Sequence, residues 1–264
     1  MITIKKVDEI ELIRQGGKIL GQIMKKLISE VKPGVTTGHL EKLADFLIIE
    51  AGGRPSFKGF KQSAGDRPFP TALCASINNE VVHAPALPSR ELKSGDIITI
   101  DVGMEYPFSS GRKGYYTDMA ATIAVGKVSR EAQKLIKVTK LALAHGIEQV
   151  RPGNSLNSLG KAVEQYVKKA SGFSVVRDLV GHGVGYELHE DPQIPNYELP
   201  YNKKIILKPG MVLAIEPMVN VGDYNIKTGA DGLTILTADG SLSAQFEHTV
   251  VVTEEGYEIL TKYE

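Results

Sequence analysis

The amino-acid sequence predicts an α+β fold built from two similar halves that share one cleft. Apolar residues at helical spacing are followed by short alternating segments typical of strands, and this order then occurs a second time. Two motifs return in the same order: VKPG at residues 31–34 as VRPG at 150–153, and LKSGDIITID at 92–101 as LKPGMVLAIE at 207–216. Chance similarity between amphipathic segments is the alternative that the sequence leaves open.

The first half begins with a predicted helix over residues 8–30, whose apolar side chains repeat at helical spacing up to a Lys-Pro-Gly turn. Thr36 or Thr37 then caps a second helix, which the glycine pair at 52–53 ends. Residues 54–70 contain glycine, proline and aromatic residues and predict a loop or two irregular strands. Strand-like segments bounded by turn residues complete this half: 71–78, 96–102 and 117–125.

The second half repeats this order. Ser129 begins a helical segment with one apolar side, and a further helix is predicted over residues 155–170 before a Ser-Gly stop. Strand-like segments follow: 173–179, 211–217 and 247–253. A length of 264 residues lies between one domain and two. The repeat favours a single domain over 1–264, with halves of about 1–127 and 128–264 that both contribute acids to one site.

Composition excludes several classes of protein. Thirty-one basic and 31 acidic residues give zero formal net charge, so no global field recruits nucleic acid or anionic lipid. The one cysteine, Cys74, excludes a disulfide framework and a cysteine-rich zinc module. A hydrophobic fraction of 42% is ample for a folded core. No signal-peptide core or long apolar run occurs, so we expect a cytoplasmic protein that binds neither a membrane nor nucleic acid directly.

Four acids occupy positions in or beside apolar segments, where a carboxylate needs compensation. Asp101 and Glu216 fall at corresponding places of the repeat, and Asp118 and Glu247 each open an apolar run. An uncompensated buried carboxylate costs several kcal/mol. For any one of these residues, pointing to solvent at a strand end is the simpler alternative. Four carboxylates that converge in one cleft would repel one another without a multivalent cation.

Three of the six histidines have special surroundings. His182 lies between two glycines, which allow close approach of a metal or a substrate; His189 follows shortly after it, and His83 ends the segment INNEVVH. One nitrogen donor with several carboxylate oxygens suits Mn, Fe, Co or Zn better than Mg or Ca. The other three are predicted to be structural, to lie at the surface, or to point away from the site: His39, His145 and His248.

Together these residues resemble the metal signature of the methionine aminopeptidases, whose fold is the α+β pita-bread fold with two pseudo-two-fold-related halves around a central antiparallel sheet. The resemblance covers essentially the whole chain. Its motifs are INNEVVH at 77–83, Asp101, Asp118, GHG at 181–183, IEPM at 215–218 and SAQFEHT at 243–249. The short interval between His182 and Glu216 resembles the bacterial type I enzymes, which lack the large insertion of type II and the N-terminal zinc-binding extension of eukaryotic relatives.

The resemblance implies two divalent metal ions (Co, Mn, Fe or Zn) and allows one monovalent cation. The implied metal ligands are Asp101, Asp118, His182, Glu216 and Glu247, with Asp118 and Glu247 bridging. The implied catalytic residues are His83, His189 and Glu216. The two histidines would also contact the substrate, and Cys74 and Phe69 would line its side-chain pocket together with Phe57 or Phe60.

The activity implied by the resemblance is hydrolysis of the first peptide bond, which releases the N-terminal methionine of nascent polypeptides. A monomer with transient ribosome contact is expected. Two alternatives remain: an enzyme that cleaves X-Pro bonds, and a catalytically inactive binding protein of the same fold. This sequence departs from the family at Leu188 and Leu233, where relatives often carry aromatic residues, and in a longer segment over 104–114.

Overall fold

A computed structural model describes residues 1–61, 63, 65–109, 111 and 113–263. Its four α-helices are α1 (Val7–Glu30), α2 (Thr37–Glu50), α3 (Arg130–Ile147) and α4 (Leu156–Ala170). A short 3₁₀ helix spans Pro200–Lys204. The predicted caps are present, because Thr36 Oγ1 accepts from His39 N at 3.2 Å and Ser129 Oγ accepts from Ala132 N at 3.0 Å. The four helices begin within a residue of their predicted starts, and α1, α2 and α4 end within two residues of their predicted ends.

The strands are short apart from two. In chain order they are β1 (Arg54–Pro55), β2 (Leu73–Ile77), β3 (Glu80–Val82), β4 (Ile97–Tyr106), β5 (Tyr115–Ala124), β6 (Ser174–Val175), β7 (Gly181–Gly183), β8 (Glu190–Ile194), β9 (Val212–Ile215), β10 (Met218–Asn220), β11 (Ile226–Thr228), β12 (Ile235–Thr237), β13 (Ser243–Gln245), β14 (His248–Val252) and β15 (Tyr257–Ile259). Every ladder between them is antiparallel. This is the α+β class that the sequence predicts.

The β4–β5 hairpin dominates the first half. Its two ten-residue strands pair along their whole length, from Ile97 opposite Ala124 to Tyr106 opposite Tyr115. The predicted end of β4 after Val102 is therefore wrong. Gly103 continues the strand because it packs closely: a Cβ there would lie 2.2 Å from a serine hydroxyl. The predicted longer segment over 104–114 becomes strand and turn, although Ser110 and Arg112 lie outside the described residues.

Residues 54–70 form mainly a loop. The short strand β1 pairs with β4, and backbone bonds between Gly59 or Phe60 and Phe69 close the loop at 2.8 and 2.9 Å. Residues 62 and 64 lie outside the described part of the chain. Of the two predicted alternatives, the loop describes this segment better, since Pro55, Pro68 and Pro70 lack the backbone N–H that a ladder needs.

The second half contributes a five-stranded sheet in the order β15-β14-β9-β7-β8. Two predictions of the second half need correction. The segment GHG, which lies outside the predicted strands, forms β7 and pairs with β9, so His182 is held on a sheet. The strand predicted over 173–179 is limited to the two residues of β6, which pair with β10.

The largest apolar core joins the helices to the sheet that contains the β4–β5 hairpin and to the five-stranded sheet. Side chains of α1 and α2 pack on β2 and β4, and the same cluster extends to β9 and β14. A second cluster joins α3 and α4 to β6, β10 and β13. Among the described residues, none of the helices has the length and apolarity needed to span a bilayer. The assignment of 1–264 to one domain with halves divided near residue 127 stays a prediction.

Candidate metal centre

Two acids of the first half lie on the β4–β5 hairpin. Asp101 stands opposite Ala120, and Asp118 stands opposite Gly103. Because residues directly opposite in an antiparallel pair share a face, the two carboxylates are diagonal neighbours on the same face of the hairpin. Both side chains are buried. The hairpin therefore places two carboxylates side by side away from bulk water.

Two acids of the second half lie where β9 and β14 meet. His248 stands opposite Ile215, so the next positions beyond this pair are Glu216 and Glu247. Glu247 is buried, and its backbone N–H donates to Ala120 O on β5 at 2.8 Å. This hydrogen bond ties the acids of the second half directly to the hairpin of the first.

His182 completes the group from β7. Its Nδ1 lies 2.9 Å from Gly183 O, a carbonyl that can only accept, so Nδ1 carries the proton and the Nε2 lone pair is free. Nε2 faces Glu216 Oε1 at 3.6 Å. Burial lowers the pKa of His182 to about 4, so the ring is neutral at pH 7. The His182 Nε2 lone pair thus faces a carboxylate oxygen of Glu216, an arrangement typical of two ligands that share a cation.

The donor set fits a metal ion. Ligand atoms of Asp118, His182 and Glu247 lie within 4.8 Å of one another. Buried oxygens of three acids have no hydrogen-bond partner: Asp101 Oδ1, Asp118 Oδ1 and Glu247 Oε1. Buried polar atoms without a partner are rare in folded proteins and call for an explanation. A divalent cation supplies it, because it binds such oxygens directly together with a neutral imidazole.

The electrostatics of the acids support the same conclusion. Burial, followed by the neighbouring carboxylates, holds the pKa of each acid well above its ordinary value; the four are Asp101, Asp118, Glu216 and Glu247. Without a cation the cluster resists full ionisation. A bound divalent ion would reverse this preference by offsetting the negative charge.

A cavity of about 400 Å³ opens onto these donors. The residues that the sequence predicts for the site line it, with Phe57 and Phe60 beside them: Phe69, Cys74, His83, Asp101, Asp118, His182, His189, Glu216 and Glu247. Most of them are far apart in the sequence, and the fold brings them together. Their individual roles as ligands, catalytic groups and substrate contacts remain predictions.

The two further histidines lie at the cavity wall. His83 follows β3 with a φ of 59°, a left-handed conformation that few residues other than glycine adopt. The ring of His189 lies 4.5 Å from the His182 ring and 5.0 Å from the Phe60 ring, centroid to centroid. Burial lowers the pKa of His83, and it lowers that of His189 to about 3. Both rings are therefore neutral at pH 7.

An apolar wall closes one side of the cavity. Phe57, Cys74 and Leu188 form a buried cluster, and Phe60 and Phe69 pack against it. Phe57 and Phe69 meet edge to face at 6.4 Å. Leucines 188 and 233, the departures from the family pattern, both line the cavity and give it an aliphatic surface.

Sequence reasoning missed several residues that support this site. Gln245 Nε2 donates to Glu216 Oε2 at 3.0 Å, and the Thr249 hydroxyl contacts the backbone of Asp118. Both fall inside the motif SAQFEHT, so their position beside Glu247 was the available signal. Lys5 and Glu190 form a buried ion pair next to His189. Their separation along the chain left no pattern by which the sequence could have paired them.

Comparison with known proteins places these features in a family. The model of metallopeptidase family M24 matches residues 11–254. The chain is 47% identical to the methionine aminopeptidase of Clostridium perfringens over 262 residues, which covers 99% of both chains. The crystal structure of methionine aminopeptidase from Thermotoga maritima superposes with a TM-score of 0.91 at 40% identity, over 99% of this chain and 100% of that one.

A more distant likeness concerns the fold alone. The prolidase from Pyrococcus horikoshii matches with a TM-score of 0.74 at 21% identity, and the match covers 99% of this chain but 64% of the prolidase. Members of family M24 use divalent metal ions, which agrees with the unpartnered carboxylate oxygens around the cavity. The chain belongs to metallopeptidase family M24, among the methionine aminopeptidases and with their pita-bread fold.

Proposed function

We propose that the protein is a metal-dependent methionine aminopeptidase that removes the N-terminal methionine from peptides and nascent proteins. The observation that carries this proposal is that the His182 ring nitrogen and the unpartnered carboxylate oxygens face one cavity, one side of which is an apolar wall. Identity of 47% to a named methionine aminopeptidase over 99% of both chains supports the same activity. A hydrolase that reads a terminal residue needs both features, a charged reaction centre and a pocket for one side chain.

Two divalent ions are proposed, held by Asp101, Asp118, His182, Glu216 and Glu247, with Asp118 and Glu247 shared between them. When bound, such ions would lower the pKa of water toward about 7 and so provide a nucleophile at neutral pH. Co, Mn, Fe and Zn all suit this mixture of oxygen and nitrogen donors. A monovalent cation elsewhere in the fold is a further part of the proposal.

Glu216 is proposed to move a proton from the attacking water to the leaving amine. Its Oε2 accepts from Gln245 Nε2 at 3.0 Å, which fixes the plane of the carboxylate, while Oε1 faces His182. In the metal-free protein, burial and the nearby Asp118 carboxylate raise the pKa of Glu216.

His189 and His83 are proposed to contact the peptide. Because its pKa is lowered to about 3, His189 acts as a neutral imidazole, and its N–H can donate to the carbonyl oxygen on which negative charge develops. His83 is buried at the cavity wall, and its pKa is also lowered. We assign it to the nitrogen of the scissile bond.

The side chain of methionine is proposed to occupy the apolar end of the cavity. Phe57, Phe69, Cys74 and Leu188 offer aromatic and aliphatic surface there, and an unbranched thioether adapts well to such a wall. Full burial of one such side chain contributes roughly 1.5–3 kcal/mol, which corresponds to about 10–150-fold discrimination. The pocket and the geometry of attack together set specificity.

One experiment separates this proposal from its alternatives. Protein treated with a chelator is tested on Met-Ala-Ser, Ala-Pro and Gly-Pro, before and after addition of Mn, Co, Fe or Zn. We expect release of methionine from Met-Ala-Ser that depends on added metal, and little cleavage of the X-Pro peptides. Efficient cleavage of Ala-Pro alone would indicate an X-Pro peptidase, and no cleavage of any peptide would indicate a binding protein. Action on nascent polypeptides in the cytoplasm, transient ribosome contact and a monomeric state belong to the same proposal.

A further inference from the structure

The two halves of the chain meet along a seam between β5 and the segment that contains β13 and β14. At its centre, Glu247 N donates to Ala120 O at 2.8 Å. On one side of this bond Asp118 lies next to Thr249, and on the other Thr122 lies next to Gln245. The contacts follow an antiparallel register, yet the outer two are not made by backbone groups alone.

A threonine hydroxyl mediates each outer contact. Thr249 Oγ1 donates to Asp118 O at 2.8 Å and accepts from Asp118 N at 2.9 Å. Thr122 Oγ1 donates to Gln245 O at 2.7 Å and accepts from Gln245 N at 2.9 Å. Each hydroxyl thus takes the place of the partner residue in an ordinary antiparallel ladder, where backbone groups bond directly. We call these two contacts the threonine clamps.

The two clamps match each other across the repeat. Asp118 and Thr122 are four residues apart on β5, and Gln245 and Thr249 are four residues apart on the other side of the seam. The Thr249 hydroxyl binds the backbone of Asp118, and in the same way the Thr122 hydroxyl binds the backbone of Gln245. The hydrogen bonds of the seam therefore form an approximately two-fold arrangement about the bond from Glu247 to Ala120, in which Asp118 matches Gln245 and Thr122 matches Thr249.

Each clamp ends on a group of the candidate metal centre. The first holds the backbone of Asp118, whose carboxylate oxygen lies within 4.8 Å of a ring nitrogen of His182 and a carboxylate oxygen of Glu247. The second holds the backbone of Gln245, whose side chain donates to Glu216 Oε2 at 3.0 Å. A shift of either backbone would therefore move a proposed ligand.

Both hydroxyls are buried, and that of Thr122 makes one donated and two accepted hydrogen bonds. Thr249 is fully buried, and Thr122 is 4% exposed. The Thr122 hydroxyl has one proton, which goes to Gln245 O, so Thr99 donates to it across 2.8 Å. Loss of either hydroxyl would leave a buried N–H and a buried C=O without partners.

We propose that Thr122 and Thr249 are positioning residues that set the distance between the two halves and so the geometry of the metal ligands. This inference rests on the proposed function, since it concerns the metal centre of that enzyme. Supporting groups of this kind commonly change metal affinity 10–100-fold when they are removed. The threonines touch neither the substrate nor the proposed ligand atoms, and they act through the backbones that they hold.

The test compares serine and alanine at each position, because these differ only in the hydroxyl. Metal-free wild type, Thr249→Ser, Thr249→Ala, Thr122→Ser and Thr122→Ala are titrated with Mn²⁺ by isothermal calorimetry. We expect the alanine variants to bind Mn²⁺ about 10–100-fold more weakly than wild type and the serine variants to bind close to wild type. Hydrogen exchange of the metal-free proteins supplies a second readout, since the Asp118 amide should exchange faster in Thr249→Ala than in Thr249→Ser.

Thr139 provides a matched control. It is fully buried on α3, and its hydroxyl donates to Leu135 O at 2.9 Å, a hydrogen bond within the helix and not across the seam. Thr139→Ala should leave Mn²⁺ affinity unchanged even where it lowers stability. Where an alanine variant does not fold, Thr249→Cys, which keeps a weak donor, replaces it and should bind Mn²⁺ more weakly than Thr249→Ser.

The possible outcomes distinguish a failure of the threonine clamps from a failure of the proposed enzyme activity. Equal Mn²⁺ affinity for the serine variant and its alanine or cysteine counterpart, with normal binding by wild type, would overturn the clamp proposal and leave the enzyme proposal intact. Wild type that neither binds Mn²⁺ nor releases methionine would overturn both. Weakened binding in Thr139→Ala of the same size would show that general destabilisation, and not the seam, controls affinity.

Discussion

The buried ion pair between Lys5 and Glu190 yields a prediction whose size follows from the structure. Lys5 Nζ lies 2.8 Å from Glu190 Oε2, and their side chains are 1% and 6% exposed. The Thr3 hydroxyl and the N–H groups of Tyr186 and Glu187 also donate to this carboxylate. Glu190 therefore organises the chain N-terminus and the loop that precedes it, which carries His189.

The two partners are not equally well compensated. Burial lowers the pKa of Lys5 and outweighs its hydrogen bond to Glu190. Burial raises the pKa of Glu190, but the hydrogen bonds from Lys5 and Thr3 outweigh it and hold that pKa below its ordinary value. The carboxylate would keep its other donors without Lys5, whereas the ammonium would lose its hydrogen-bonded carboxylate without Glu190 and keep the Thr3 hydroxyl and the Tyr186 ring, whose centroid lies 5.1 Å away. Loss of the glutamate charge should cost more than loss of the lysine.

These facts set the magnitudes. Removing one partner of a buried pair costs about 3–5 kcal/mol, and we place Lys5→Met near the lower end. Glu190→Gln keeps an oxygen that accepts from the N–H groups of Tyr186 and Glu187, but it leaves the Lys5 ammonium buried without a carboxylate partner. The penalty is limited by deprotonation of the lysine, which at pH 7 costs about 5 kcal/mol from an ordinary pKa near 10.4. The corresponding losses in Tm are roughly 6–10 °C for a chain of this size.

The assay is urea unfolding of the metal-free protein, combined with release of methionine from Met-Ala-Ser. Both variants should retain metal binding but lose turnover, because His189 directly precedes the loosened glutamate. Lys113→Met is the matched control, since Lys113 pairs with Glu187 on the same loop at 56% and 60% exposure. It should change stability by less than about 1 kcal/mol. An unchanged urea midpoint in Glu190→Gln would refute the reasoning.

Three further predictions concern the site. Asp118→Asn should bind less metal, as measured by elemental analysis after dialysis, because it removes a carboxylate that the two ions are proposed to share; two full equivalents would contradict the bridging role. His189→Ala should keep its metal but lose methionine release by at least about 100-fold, as expected for a lost donor to a developing oxyanion; normal kcat would exclude that role. The pKa of His189, lowered to about 3, lets the unfolded chain bind more protons between pH 3 and 6.5, so stability from this residue is lost as pH falls through that window. His189→Gln should reduce the slope of urea midpoint against pH there, and an unaltered slope would contradict the burial of a neutral ring.

Periodicity and caps were enough to predict the helices. The apolar stripe of α1 and the Thr36 and Ser129 caps are local features, so the sequence alone specifies them. Short strands were predicted less well. The two-residue β6 and the three-residue β7 exist because neighbouring strands supply ladder partners, and a pattern within so few residues carries no such information.

The candidate site shows the same division. Acids in apolar segments were visible as exceptions, because a buried carboxylate must be compensated, and all five proposed ligands line one cavity. Their mutual distances depend on the register of β4 with β5 and of β9 with β14. The supporting contacts were invisible for a related reason: a threonine or glutamine in a strand is ordinary until its partner across the seam is known.

The repeat explains why the acids come in similar pairs but not why the site has a direction. Each half supplies two acids, Asp101 and Asp118 from one and Glu216 and Glu247 from the other, and the seam holds them in matching register. The histidines are not divided equally between the halves. The second half supplies His182 and His189, whose ring centroids lie 4.5 Å apart, and the first half supplies His83. The apolar wall adds to this asymmetry, since it is built largely on the first half with Leu188 from the second. A symmetric group of acids can hold a pair of cations, whereas an enzyme that removes only the first residue of a peptide must distinguish its two ends. In this molecule that distinction must come from the groups that the repeat does not duplicate.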